Sequence, residues 1–322
     1  MYTAADMTQW KGRIDAAEGA AGLRWHQLIQ PVAAGAHQGV ALTGFACDAG
    51  VHRNHGRPGA HKGPDAIRAM LGNMPAHECR WLFDAGNISP QRVGEHDGLE
   101  AAQDALSQHL AGLLHQGLLP ITLGGGHEIA FGSFEGLARY LQVSSTSAPR
   151  IGVINLDAHF DLRQADRASS GTPFRQIAES CQQRGWMFNY CCLGISRFAN
   201  TQALFDRAES LGVMWMLDEE LNHMARSDLI ARLDAFTHNV DHIYFTICLD
   251  VLPAHIAPGV SAPAVLGVPL DIVETLVDRI ASSGKLRLAD IAELNPEFDI
   301  DHRSARVAAR LVARIANQAS SL

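Results

Sequence analysis

Short apolar runs alternate with amphipathic stretches along most of the chain. The runs predict strands at 39–46, 80–84, 119–123, 151–157, 188–195, 212–217, 242–250 and 286–293. The amphipathic stretches predict helices at 64–72, 98–116, 128–142, 172–184, 200–211, 227–239, 269–283 and 304–318. Strict alternation requires parallel strands joined by right-handed crossovers. An open sheet covered on both faces and a closed eightfold barrel both satisfy this pattern, and both bind ligands at the carboxyl ends of their strands.

The length of 322 residues allows one large α/β domain or two small ones. The clearest loop by composition, SSTSAP at 144–149, has the length of a connection and not of a domain linker. We therefore expect one domain over residues 1–322, with a polar N-terminal lead-in at 1–38 and a core at 39–318.

Charge and composition indicate which partners to expect. The net charge is -8 and basic residues form no long run, so we expect no nucleic acid partner. No apolar stretch is long enough to span a bilayer, and the N-terminus lacks the layout of a secretory signal. The six cysteines show no C-x-x-C spacing, which is typical of a reduced, cytoplasmic protein.

The segment IGVINLDAHFD, residues 151–161, changes character at its end. Its apolar first half predicts a strand buried on both faces. Asp157, His159 and Asp161 follow at every second position, so an extended backbone would point all three side chains the same way. Converging carboxylates are costly to bury unless a cation satisfies them, which favours a divalent metal. The alternative is an Asx-type turn that happens to contain a histidine.

A second polar cluster follows the strand predicted at 119–123. The sequence LGGGHE permits a tight turn and places His127 between a strand end and a helix start. A lone histidine at such a place is more often structural than a ligand. A phosphate-binding loop is excluded because no Lys-Ser/Thr pair follows the glycines.

Two further strands end in acidic residues. Cys248 and Asp250 end the run HIYFTICLD, and both would lie on one side of a strand. Glu293 ends the last strand, immediately before the turn signal Asn295-Pro296. Read without a metal, Cys248 is a small buried apolar residue, Asp250 is a cap or turn former, and Glu293 is a hydrogen-bonded structural carboxylate.

The order and spacing of GGGH, DAHFD, the acidic strand end and ELNP closely resemble the ureohydrolases, the family of arginases and agmatinases. The resemblance covers residues 121–296, and GRPGAHKGPDAIR at 56–68 resembles the glycine-rich segment of the family. It implies an open eight-stranded parallel sheet in three αβα layers, two manganese ions per chain and a homo-oligomer, either a trimer or a hexamer. The metal-ligand positions of the family fall on His127, Asp157, His159, Asp161 and Asp250. Glu293 falls on the position that pairs with the guanidinium or amidinium group of the substrate.

Two departures from the family pattern narrow the expected activity. Cys248 stands where the family usually has the first aspartate of a D-x-D pair, which bridges both metals, and we expect this thiol to coordinate. The loop 170–175 lacks the histidine that arginases use as an acid or base, so arginase activity is not expected. The motifs FDLR, SSGTPFRQI, GISRFANT, TICLDVLP and PGVSAP instead resemble the branch that acts on formimidoylglutamate.

The resemblance implies manganese-dependent hydrolysis of N-formimidoyl-L-glutamate to L-glutamate and formamide, a step of histidine degradation. Two metals can hold a bridging hydroxide that attacks the formimidoyl carbon. Asp161 is the candidate for carrying a proton to the departing amine, and Glu293 would orient the amidinium. Because arginine matches carboxylates well, the candidates for the two substrate carboxylates are Arg163, Arg175 and Arg197, with Arg53 and Arg57 as second choices.

Two other functions remain compatible with these residues. A guanidino-acid or agmatine-type ureohydrolase would use the same metal ligands and the same glutamate. A relative that binds a small ligand without catalysis is the other alternative, and the loss of the bridging aspartate is its motivation. The product of the reaction, formamide or urea, would distinguish the first of these from the leading hypothesis.

Overall fold

A computed structural model describes residues 1–91, 94, 96–144 and 147–320. Part of the loop expected at 144–149 therefore lies outside the described residues. Among the described helices, none combines the length and the apolar character that a membrane crossing needs.

One large sheet forms the centre of the molecule. Its strands are β1 (Tyr2–Thr3), β2 (Gln30–Pro31), β3 (Val40–Phe45), β4 (Leu82–Ile88), β5 (Leu119–Leu123), β6 (Ile151–Leu156), β7 (Asn189–Ile195), β8 (Met214–Leu217), β9 (His242–Cys248) and β10 (Leu286–Ala292). The order is β1-β4-β3-β5-β10-β9-β6-β7-β8, with β2 also paired to β4. The strands from β3 to β10 are parallel, and only the short β1 runs antiparallel to its neighbour among the described strands. The expected open parallel sheet of eight strands is confirmed, and two short strands from the lead-in extend it.

Helices cover both faces of this sheet. They are α1 (Trp25–Leu28), α2 (Ala49–Arg53), α3 (Gly63–Gly72), α4 (Leu99–His115), α5 (Ile129–Ser144), α6 (Pro173–Arg184), α7 (Gln202–Ser210), α8 (Asp218–His223), α9 (Arg226–His238), α10 (Leu270–Ala281) and α11 (Arg303–Ser320). Two hydrophobic clusters separate the layers: one packs α3, α9, α10 and α11 on the sheet, and the other packs α4, α5 and α6 on its opposite face. The expected three αβα layers are therefore present, and α1, α2 and α8 are short additions to the predicted helices.

Two strands end earlier than the sequence predicts. β6 ends at Leu156, and Asp161 has a φ of 47°, so residues 157–161 are not extended. β9 ends at Cys248, and Leu249–Val251 form a turn of 3-10 helix. An extended backbone was expected to point the side chains of residues 157–161 and of residues 248–250 to one side. This expectation is wrong for both segments, because the backbone bends where the polar residues begin.

Candidate metal centre

The predicted metal ligands and Glu293 lie at the carboxyl ends of four strands that are neighbours in the middle of the sheet. In sheet order these strands are β5, β10, β9 and β6. Because the strands are parallel, their carboxyl ends meet at one edge of the sheet. His127 follows β5, Glu293 follows β10, Asp250 follows β9, and Asp157 follows β6. Segments distant in sequence are thereby brought into one polar cluster.

The glycine turn after β5 sets the position of His127. Gly125 has a φ of 94°, and a Cβ atom there would lie 2.4 Å from the carbonyl oxygen of Phe45. Only glycine fits such a turn without strain. The turn directs the backbone N–H of His127 to Oε1 of Glu293, at 2.8 Å. The loops after β5 and β10 are thus joined directly.

The imidazole of His127 faces two carboxylates. Its Nδ1 lies 2.9 Å from Oδ2 of Asp157 and 2.9 Å from Oδ2 of Asp161. These contacts lack the alignment of hydrogen bonds, so the buried Nδ1 has no hydrogen-bond partner among the described residues. Two carboxylate oxygens that lie this close to a ring nitrogen with no hydrogen-bond partner form a group of donor atoms that suits a cation.

A second group of ligand atoms surrounds His159. Its Nδ1 lies 3.2 Å from Oδ2 of Asp250 and 3.5 Å from Oδ1 of Asp157. The described chain contains two sets of candidate ligands whose atoms lie within 4.8 Å of one another. One set is His127, Asp157 and Cys248, and the other is Asp157, His159 and Asp250. Two adjacent cation positions that share Asp157 are the simplest interpretation of this geometry.

The electrostatics of the cluster favour a cation. Burial raises the pKa of Asp161 to about 6, and the charge of Asp157 adds to this effect. Burial and Asp157 likewise raise the pKa of Asp250. Burial opposes the charging of His127 and His159, yet their aspartate partners hold both imidazole pKa values well above the usual range. The cluster therefore concentrates negative charge in a buried space. Its donors are mostly carboxylate oxygens and imidazole nitrogens, a set that suits manganese.

Cys248 lies within this cluster and is buried. Burial raises the pKa of its thiol well above the usual range, and the charges of Asp157, Asp250 and Glu293 add to this effect. Its sulfur belongs to the set that contains His127, whereas Asp157 is common to both sets. Cys248 is therefore placed where it could bind one cation, and Asp157 is the carboxylate that belongs to both sets of candidate ligands.

Glu293 stands beside the cluster in a strained conformation. Its φ of 69° lies in the left-handed region, which costs a residue with a side chain about 1–3 kcal/mol. The backbone N–H of Glu293 donates to the carbonyl oxygen of Gly125 at 2.8 Å. Its buried Oε2 has no hydrogen-bond partner among the described residues. Burial raises the pKa of Glu293 to about 8, with contributions from Glu128 and Asp250. Strain and an unsatisfied carboxylate oxygen together indicate a ligand-binding role.

A cavity of about 300 Å³ opens above this cluster. Its floor is formed by His127, His159, Asp161, Cys248, Asp250 and Glu293. The rim includes Asn54, Arg57, Arg163, Ser170 and Ser261. The cavity thus combines an acidic floor with a rim that carries two arginines, so a ligand with a cationic end and an anionic end would complement it.

The arginines proposed from the sequence occupy different places. Arg163 is exposed and lines the cavity. Arg175 lines a different surface cavity and lies 2.5 Å from Glu179. Arg197 is exposed and is not among the described residues that line the metal-site cavity. Of the three, the structure brings only Arg163 to the cavity in its present conformation.

The two arginines considered as second choices also differ. Arg53 is occupied by ion pairs with Asp97, at 2.5 Å, and Glu100, at 2.6 Å. Arg57 lines the cavity, and its Nε–H donates to the carbonyl oxygen of Ser261 at 3.0 Å. A second hydrogen bond reaches the carbonyl of Val260. Backbone contacts therefore fix Arg57 in the rim of the cavity, whereas the sequence pattern made it a second choice.

Residues 38–317 match the arginase family, and the chain belongs to this family. The chain is 60% identical to the formimidoylglutamase of Ralstonia nicotianae over 98% of its own length and 96% of that protein. It is 51% identical to the formimidoylglutamase of Aeromonas hydrophila, with 98% of each chain covered.

Solved structures show the same fold. The formimidoylglutamase of Bacillus subtilis superposes with a TM-score of 0.78 at 24% identity, covering 90% of each chain. A formiminoglutamase of Trypanosoma cruzi with Mn²⁺ superposes with a TM-score of 0.75 at 24% identity, covering 88% of this chain and 93% of that chain.

Proposed function

We propose that the chain hydrolyses N-formimidoyl-L-glutamate to L-glutamate and formamide with the help of two manganese ions. The observation that carries this proposal is the cavity, whose floor holds two sets of cation ligands that share Asp157 and whose rim holds Arg57 and Arg163. Its acidic residues and its arginines suit a substrate with an amidinium group at one end and carboxylates at the other. The formimidoylglutamases among the relatives of the chain support this choice of substrate.

The proposed metal ligands are those that the sequence predicts: His127, Asp157, His159, Asp161, Cys248 and Asp250. One ion would lie between His127 and Asp157, and the other between Asp157, His159 and Asp250. When bound, a pair of divalent ions supplies a hydroxide nucleophile near neutral pH and stabilises negative charge on the reacting centre.

Glu293 is the proposed partner of the amidinium. Its Oε1 is held by the backbone N–H of His127, which leaves the buried Oε2 to accept a hydrogen bond from the substrate. A carboxylate paired with an amidinium in a desolvated site forms a strong, oriented contact. This contact would hold the formimidoyl carbon over the floor of the cavity.

Asp161 is the proposed proton carrier. It lines the cavity and contacts Nδ1 of His127 at 2.9 Å. Its place in the cavity lining puts a carboxylate beside the reacting centre, where a group that accepts and donates a proton is needed. The departing glutamate amine needs such a proton.

Arg57 and Arg163 are the arginines whose present positions suit the substrate carboxylates. The side chain of Asn54, which donates to Oγ of Ser170 at 3.2 Å, lies beside them in the rim. Polar and cationic groups along one side of the cavity would select a dianionic substrate over a neutral amine such as agmatine. Arg175 and Arg197 remain predictions, which variants of each residue can test.

The product of the reaction tests the proposal. Purified protein loaded with Mn²⁺ is incubated with formimidoylglutamate, and formamide and glutamate are quantified. Guanidino acids and agmatine are assayed in parallel for urea. Release of formamide in a 1:1 ratio with glutamate is the expected result. Urea from a guanidino compound with no formamide would favour the ureohydrolase alternative, and no product from any compound would favour the non-catalytic one.

We also propose a role in histidine degradation, a homo-oligomeric assembly as a trimer or hexamer, and a reduced, cytoplasmic environment. The role in histidine degradation rests on the proposed substrate, and the oligomeric assembly rests on the resemblance to the family. The third is supported by the six cysteines of the chain, which are all buried and free of disulfides. Light scattering of the purified protein tests the assembly.

A further inference from the structure

A row of polar residues crosses the buried sheet directly below the proposed metal centre. In the strand register Thr43 pairs with Thr122, Thr122 with Asp290, Asp290 with Thr246, and Thr246 with Asn155. All five residues are fully buried. Residues in register on parallel strands point to the same face of a sheet, so these side chains form one continuous row, which we call the polar row. Burying a polar side chain in the core of a sheet costs free energy unless the side chain is hydrogen-bonded.

The polar row touches the proposed ligand His127 through Thr246. Nε2 of His127 lies 3.1 Å from Oγ1 of Thr246. Because the oxygen of a threonine hydroxyl carries acceptor lone pairs, Oγ1 of Thr246 can accept a hydrogen bond from the Nε2–H of His127. Asp290, the cross-strand neighbour of Thr246, accepts a 2.7 Å hydrogen bond from the hydroxyl of Tyr244.

The contact with Thr246 sets the orientation of the His127 ring. With Nε2 held at Thr246, the opposite ring nitrogen, Nδ1, faces Asp157 and Asp161. A histidine binds a cation through a ring nitrogen that carries no proton. When a cation binds, a hydrogen bond from Nε2–H to Thr246 would keep the ring proton on Nε2 and leave Nδ1 to the cation.

Asn155, the last residue of the polar row and the neighbour of Thr246, contacts a second proposed ligand. Nδ2 of Asn155 donates to Oδ2 of Asp157 at 3.0 Å. The same amide donates to the hydroxyl oxygen of Tyr190 at 3.0 Å, which fixes its orientation. Asp157 belongs to both sets of cation ligands. Two neighbouring members of one row therefore contact two different ligands of the centre.

We propose that Thr246 is a positioning residue that holds the ring of His127 so that Nδ1 faces the metal centre. The inference rests on the metal centre of the proposed function. Groups that hydrogen bond to a metal ligand typically change metal affinity by about 10- to 100-fold when they are removed. Thr122 provides a matched comparison, because it is equally buried and lies in the same row, but its hydroxyl has no hydrogen-bond partner among the described residues.

The test measures Mn²⁺ binding and not activity. Wild type, Thr246→Val, Thr246→Ser and Thr122→Val are freed of metal and titrated with Mn²⁺, while the electron paramagnetic resonance signal of unbound Mn²⁺ is recorded. Valine keeps the shape of threonine and removes only the hydroxyl, whereas serine keeps the hydroxyl. We expect Thr246→Val to bind one ion about 10- to 100-fold more weakly. Thr246→Ser and Thr122→Val should bind within about threefold of wild type.

Several outcomes would overturn the inference, and they differ from failure of the proposed function. Equal affinity of Thr246→Val and wild type, an equal loss in Thr122→Val, or no recovery in Thr246→Ser would each refute the role of Thr246. Absence of Mn²⁺ binding by wild type would refute the metal centre itself. Circular dichroism of the metal-free proteins controls for folding. If Thr246→Val does not fold, Thr246→Ala is used, and an affinity equal to that of wild type would then overturn the proposal.

Discussion

Replacing Glu293 by glutamine would remove one negative charge from the cavity floor while changing little else. Glutamine has nearly the same shape, and its Oε1 can still accept the hydrogen bond from the backbone N–H of His127. Its amide nitrogen, however, would direct N–H groups at the N–H groups of the amidinium. The fold should survive, because the change removes a buried carboxyl group and leaves its backbone contact intact.

The expected loss of kcat/KM follows from the pairing of the Glu293 carboxylate with the amidinium of the substrate. Two unit charges at about 3 Å interact by about 5.5 kcal/mol at an effective dielectric constant near 20. Since burial raises the pKa of Glu293 to about 8, ionising it at pH 7 costs about 1.4 kcal/mol of this gain. About 4 kcal/mol remains, within the range for removing one partner of a buried charged pair. This corresponds to a decrease in kcat/KM of roughly 1000-fold.

The assay is formamide release at several substrate concentrations, together with the manganese content of each protein. Glu128→Gln is the matched control, because Glu128 is also buried, accepts a backbone N–H from Gly50 at 2.7 Å, and has a pKa raised by burial to about 7. Glu128 is not among the described residues that line the cavity. A kcat/KM of Glu293→Gln within threefold of wild type, or an equal decrease in Glu128→Gln, would refute the proposed contact.

Four further outcomes are expected. Chelation should abolish activity and added Mn²⁺ should restore it; full activity after complete demetallation would contradict the metal centre. Arg163→Ala should raise KM about tenfold or more for formimidoylglutamate and less for an analogue that lacks one carboxylate; equal effects of Arg163→Ala on both compounds would argue against carboxylate recognition. Cys248→Asp should retain more Mn²⁺ per chain after dialysis than wild type or Cys248→Ala, because manganese prefers oxygen to sulfur; identical retention by all three would make Cys248 a packing residue. Affinity for Mn²⁺ should fall as the pH drops through about 6, because burial raises the pKa of Asp161 to about 6 and its protonated form is a poor ligand. A constant affinity between pH 5 and pH 8 would contradict a ligand role for Asp161.

Much of the fold could be predicted from the sequence, because the alternation of strands and helices has few structural solutions. Periodicity alone did not distinguish an open sheet from a barrel, which depends on pairings between distant strands. The order of the sheet places β4 and β8 far apart, so the sheet stays open. Strand ends were predicted too far along the chain at β6 and β9, because the polar residues there bend the backbone.

The proposed ligands were predictable as residue types at strand ends, whereas the rim was not. Side chains such as Arg57 and Arg175 are long, and their positions depend on tertiary contacts that no local pattern encodes. Arg57 is held by backbone carbonyls about 200 residues away, and Arg175 turns to Glu179 on its own helix. The polar row is visible in the sequence, since Thr246 and Asp290 are polar residues in the middle of largely apolar strands. Such residues predict buried polar side chains inside the sheet, but the sequence does not show which residues those side chains contact.

The position of β10 has a consequence for the synthesis of the chain. This strand is the last in sequence, yet it lies between β5 and β9 and is the sole link in the described sheet between β4-β3-β5 and β9-β6-β7-β8. A nascent chain that stops before Leu286 would carry two separate half-sheets, each with an unpaired inner edge that can pair with another molecule. Ribosome-bound or truncated chains should therefore depend strongly on chaperones, and the sheet becomes continuous only when the final strand inserts into its middle.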